Sequence, residues 1–158
     1  MGIISALARR LVQDGGAALV VDYGHARSSL GETLQAVKRH AFVDPLAEPG
    51  DADLTAHVDF PALAAATRGT GAAIHGPITQ AHFLAALGIA ARATRLKQKA
   101  DTRQGADIDA AVTRLAGTGE RHMGVLFKVM AVAHPALPSL PGFDKPPERA
   151  DAATASAP

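Results

Sequence analysis

Four consecutive residues, Asp22, Tyr23, Gly24 and His25, follow an apolar run and place a carboxylate, a phenol and an imidazole beside a glycine that lets the chain turn sharply. Open α/β sheets bind ligands at the carboxyl ends of their strands, so this block is the leading local site. Tyr23 is the only tyrosine of the chain. The plainer reading is that Asp22 caps its own turn and Tyr23 packs with its hydroxyl satisfied. Further on, His57 and Asp59 lie two residues apart beside Phe60, and a carboxylate next to an imidazole can orient it and fix its tautomer. Asp59 also stands where a helix N-cap belongs. Gln80, after Gly76 and Pro77, is either a polar contact to a cleft or part of the first turn of its helix. Tyr23, His25, His57, Asp59 and Gln80 are therefore the candidates for positioning a substrate, and no catalytic residue is assigned.

Other chemistries lack their residues. His40, His57, His75 and His82 have no HxxxH spacing and no cysteine to join them, so no metal site is expected. No G-x-S-x-G elbow and no G-x-x-x-x-G-K-[ST] loop occurs. Arg92, Arg95, Lys97, Lys99 and Arg103 form a basic run near a helix end. With 4% aromatic residues it is read as a solvated face that complements the helix dipole, not as a nucleic-acid site.

The elements that position these residues follow from periodicity. Ile4, Leu7, Ala8, Leu11 and Val12 mark one face of a first helix, which Gly15 and Gly16 end. AALVVDYG then reads as a short strand buried on both faces, as in a covered parallel sheet. From Ala26 to Ala56 the period is lost, and a long binding loop is expected. Asp59 caps a helix from Phe60 with proline in its first turn, and Gly69 and Gly71 stop it. AAIHGPI is a second strand. Thr79 caps one helix running through QAHFLAALGIAARATRLKQKA, a short helix spans Asp107 to Ala116, and GVLFKVMAVA is a third strand. The proline-rich stretch 135–158 is expected to be a disordered tail after a domain of residues 1–134.

At 158 residues and 47% hydrophobic content the chain is long enough for one domain. A net charge of +1 provides no long-range field for nucleic acid or anionic membranes. No window approaches about 20 apolar residues, and Arg9 and Arg10 interrupt the N-terminal run, so neither a membrane span nor a signal peptide is expected. A cytoplasmic location is the expectation.

Several blocks occur in a fixed order: VVDYGH (Val20 to His25), TLQAVKRH (Thr33 to His40), DLTAHVDF (Asp53 to Phe60), GPITQAHFLAALGIAAR (Gly76 to Arg92) and MGVLFKVMAV (Met123 to Val132). Together they resemble the MidA-type class I S-adenosylmethionine-dependent methyltransferases, over roughly Leu11 to Pro135. The resemblance implies an α/β, Rossmann-like fold represented by its C-terminal portion, with about three strands, flanking helices and the last strand antiparallel. It implies S-adenosylmethionine as the family's cofactor and protein arginine as acceptor, with the Asp22 block bordering the active-site cleft. The family's G-x-G-x-G loop, which needs strand-to-helix order, is not found. Gly69-Thr70-Gly71 and Gly117-Thr118-Gly119 both follow helices. This chain alone is expected to bind no cofactor. Two functions follow as expectations: the substrate-side half of a methyltransferase, or a non-catalytic docking piece that needs a second polypeptide carrying the cofactor loop.

Overall fold

The computed structural model describes residues 2–27, 33–47, 50–119, 122–137 and 139–143. The first helix, α1 (Gly2–Asp14), lays Ile4 and Ala8 into the core, and the Gly15 amide closes it on the Leu11 carbonyl at 3.0 Å. Strand β1 (Ala17–His25) follows. Where a loop was expected, the chain forms a separate antiparallel sheet of β2 (Gln35–Lys38), β3 (Ala41–Val43) and β4 (Asp53–Thr55), in the order β3-β2-β4. Gly31 of the expected loop lies outside the described residues.

The two-residue strand β5 (Val58–Asp59) leads directly into α2 (Phe60–Thr67). As expected, the Asp59 carboxylate accepts from the Ala62 amide at 2.9 Å, with proline in the first turn. Strand β6 (Ala73–Thr79) comes next. The long helix expected from Thr79 is broken: α3 (Gln80–Ala86) ends and α4 (Ile89–Lys97) begins around Gly88, whose φ of 81° is a left-handed conformation that side chains resist. Helix α5 (Thr102–Ala116) starts earlier than expected because Asp101 and Gln104 form a reciprocal capping box. The third expected strand divides into one turn of helix, α6 (Met123–Leu126), and β7 (Phe127–Ala133).

The main sheet has the order β5-β1-β7-β6. Strand β7 runs antiparallel to both β1 and β6, while β5 is parallel to β1. The last strand in sequence is thus reversed, as the resemblance implied, and it is inserted between earlier ones. Alternation sends Met130 and Val132 to one face, where Ile4, Ala8 and Phe60 complete a core flanked by Leu7, Leu11, Val20 and Ile74. On the other face, Phe143 packs against His75 and Phe83, with ring centroids 5.8 and 5.3 Å apart. The proline-rich stretch therefore has Phe143 packed on the body, while Pro138 and residues 144–158 lie outside the described part.

The covering stops at β1. Leu19 and Val21 are 53% and 44% exposed, so β1 is not the doubly buried strand its apolar run implied. Among the described residues its outer edge is paired at Gly24 and His25, by β5, and not from Ala17 to Tyr23.

Candidate functional site

The carboxyl end of β1 collects most of the expected residues. Gly24 is there because β5 comes too close for any side chain: a Cβ would collide with the Val58 carbonyl oxygen and reach the Phe60 ring. That approach brings Asp59 next to His25, with His25 Nε2 and Asp59 Oδ2 at 3.7 Å. The imidazole facing Asp59 is therefore His25 and not His57, which the sequence spacing had favoured. His57 instead meets Tyr23 edge-on at 6.0 Å. Phe127 meets the other side of Tyr23 at 5.3 Å, nearly perpendicular, because β1 and β7 pair Tyr23 with Phe127. The Tyr23 amide donates to Asp22 Oδ1 at 2.8 Å, so Asp22 fixes the local backbone, as its plainer reading held. Tyr23, His25, His57 and Asp59 are all half-buried.

Gln80 stands apart. It lies next to Thr79, and the register Asp22, Lys128, Thr79 places it two strands away from β1, about 10 Å by the usual strand spacing. Its side chain is buried, and Nε2 donates to the Leu115 carbonyl at 2.8 Å, tying α3 to the last turn of α5. Its amide is spent inside the fold.

Two residues of the site region escaped sequence reasoning, Phe127 and Lys128. Both were absorbed into an apolar strand, and only the register with β1 shows them. Lys128 donates to the carbonyls of Val125 and Leu126 at 2.5 and 3.3 Å, and desolvation lowers its pKa from 10.5. Its backbone lies between Asp22 and Thr79 in the sheet, while its ammonium is turned toward the end of α6.

The described residues do not fit S-adenosylmethionine by a glycine loop. The strand-to-helix junctions from β5 into α2 and from β6 into α3 are closed by their own caps, Asp59 on Ala62 and Thr79 on His82. A carboxylate at the first repels an anionic group at that helix end. Gly69 and Gly71 lie between α2 and β6, and a Cβ on Gly117 would meet the Thr113 carbonyl and the His122 ring. These glycines serve helix ends and packing. No group of three or more His, Asp or Glu able to hold a metal occurs among the described residues. None of the helices there is long and apolar enough to cross a membrane.

Known proteins agree on the affiliation. Residues 1–78 match the Methyltransf_28 family, described as putative S-adenosyl-L-methionine-dependent methyltransferase. The chain is 39% identical over 133 residues to the mitochondrial protein arginine methyltransferase NDUFAF7 homolog of Drosophila melanogaster, covering 82% of this chain and 29% of that protein. It is 47% identical over 90 residues to the mitochondrial NDUFAF7 protein of Danio rerio, covering 57% and 21%. These relatives are mitochondrial, which overturns the cytoplasmic location expected from the sequence. Two solved structures from Burkholderia thailandensis superpose at 33% identity. An uncharacterized protein gives a TM-score of 0.69 over 89% of this chain and 37% of its own. A likely methyl transferase bound to S-adenosyl-homocysteine gives 0.68 over 89% and 36%. The chain spans less than a third of the curated relatives and little more than a third of the solved ones. With the fold, the order of motifs and the relatives in agreement, the chain belongs to the MidA-type family of S-adenosylmethionine-dependent methyltransferases.

Proposed function

We propose that this chain forms the acceptor side of a methyltransferase that modifies arginine in proteins. The observation that carries the reading is the cluster at the end of β1, where aromatic Tyr23 and Phe127 and the His25–Asp59 pair converge. A guanidinium is a planar cation that lies well over an aromatic face and donates paired N–H groups to a carboxylate. Here one face of the perpendicular Tyr23–Phe127 pair would support its plane, Asp59 would accept hydrogen bonds from its N–H groups, and His57 and His25 would wall it in. Methyl transfer depends mainly on placing nitrogen and methyl in line, so holding the acceptor still is a large part of the work. The cofactor supplies the methyl group when bound. We assign its binding to portions of the fold that the relatives carry beyond the region matched here. Support comes from the relatives named protein arginine methyltransferases and from the Burkholderia protein bound to S-adenosyl-homocysteine.

Nuclear magnetic resonance titration with N-acetyl-arginine methylamide tests the acceptor site. Shifts at Tyr23, His57 and Phe127 that the matching lysine compound does not produce are expected. Equal shifts with lysine, or shifts elsewhere, overturn the reading. Calorimetric titration of the folded chain with S-adenosylmethionine is expected to give no heat, and micromolar binding would overturn the division of labour.

A docking role, in which the chain joins a polypeptide carrying the cofactor loop, is favoured by one observation. Among the described residues the outer edge of β1 has no strand partner from Ala17 to Tyr23, and Leu19 and Val21 are exposed on the same strand. Such an edge accepts a strand from another polypeptide.

A further inference from the structure

Helices α3, α4 and α5 line a half-open cavity of about 390 Å³. Its floor is half-buried Leu84, Ile108 and Val112 with buried Ala93, and exposed Leu87 and Leu96 form the rim. The single charged residue in its lining is Arg92. Arg92 and Leu96 also line an adjoining cavity of about 290 Å³, whose remaining walls are Arg95 and Lys99. The apolar cavity and a cationic one thus share Arg92 and Leu96 as walls.

The charges there are unspent. Lys97 is paired with Asp109 of α5. Arg92, Arg95 and Lys99, spaced i, i+3 and i+7 along one side of the helix and its end, have no carboxylate partner among the described residues. Solvation alone explains a basic helix face. It does not explain an apolar cavity of small-molecule size ending at that face.

We infer that this corner binds a single-chain anionic amphiphile, a long-chain carboxylate whose tail fills the apolar cavity and whose head meets Arg92, Arg95 and Lys99. The chemistry matches at both ends: methylene burial drives the tail in, and charge-assisted hydrogen bonds hold the head. A free monomer fits better than a bilayer surface, because Ala93 of the lining is buried and Leu84, Ile108 and Val112 are half-buried, which suits an inserted chain better than a flat apolar surface.

Calorimetric titration of the full chain with dodecanoate below its micellar concentration tests the site. Saturable one-to-one binding is expected, weakened about tenfold or more for dodecanol, for hexanoate and for Arg92→Glu. Ala111→Trp, which fills the cavity from α5, is expected to abolish it while circular dichroism is unchanged. If that variant fails to fold, Arg92→Glu, at an exposed position, decides alone. Absence of saturable heat, or equal binding by the wild type and Arg92→Glu, overturns the proposal. So does binding to anionic vesicles without binding to the monomer, or a dimer that Ala111→Trp breaks and dodecanoate does not.

Discussion

Asp59 holds two positions at once. One oxygen caps α2 through the Ala62 amide, and the other faces His25. The two roles separate by substitution, because asparagine caps a helix about as well as aspartate but carries no charge. Asp59→Asn is expected to leave stability within about 0.5 kcal/mol while weakening the arginine compound. Asp59→Ala is expected to cost about 1 kcal/mol as well, measured by urea denaturation. The cap was legible because Asp-Phe-Pro at the head of an apolar run is a local signal. The partnership with His25 was not, since it depends on how two strands line up, and nothing in the spacing of either states that register. Phe127 was hidden for the same reason, as it reads as an ordinary strand residue until Tyr23 is set opposite it.

Elements with strong local signals were legible: α1 with its glycine stop, β1, the capped α2, β6 and the start of α3. The β2–β3–β4 sheet was missed because its hairpin turns at Arg39 and His40, with φ of 52° and 65°, where asparagine and glycine usually mark such a turn. The α3–α4 break was missed because a lone glycine in a helical pattern is ambiguous until its φ is known. Gln80 shows the opposite error, a polar residue at a promising place whose work is mechanical. Gln80→Leu removes a buried hydrogen bond and leaves the Leu115 carbonyl unpaired. It is expected to destabilise the fold by about 1–3 kcal/mol in a thermal melt and to leave the arginine-compound shifts at Tyr23 unchanged.

Among the described residues, the main sheet ends in β6 on one side and, beside the short β5, in the length of β1 from Ala17 to Tyr23 on the other. An apolar strand edge left bare is a template for pairing with any other chain, including a copy of itself. Because Leu19 and Val21 are already exposed, lysine at both positions should leave folding intact. Sedimentation velocity is expected to show that Leu19→Lys with Val21→Lys reduces self-association of the chain, and an unchanged distribution would mean that the edge is not where copies meet.

The position of β7 also bears on how the protein is made. It is the middle of the sheet in space, yet it ends the described core in sequence, and its register joins Ala17 to Ala133. A ribosome releases β1 first, followed by β6, and these two are never hydrogen-bonded to each other, because β7 lies between them and joins both. Until β7 is made, β1 has only its short pairing with β5 and β6 has no strand partner in the main sheet. High contact order of this kind slows folding and lengthens the interval in which a nascent chain depends on a chaperone. A message that stops before Phe127 would yield a product without its keystone strand.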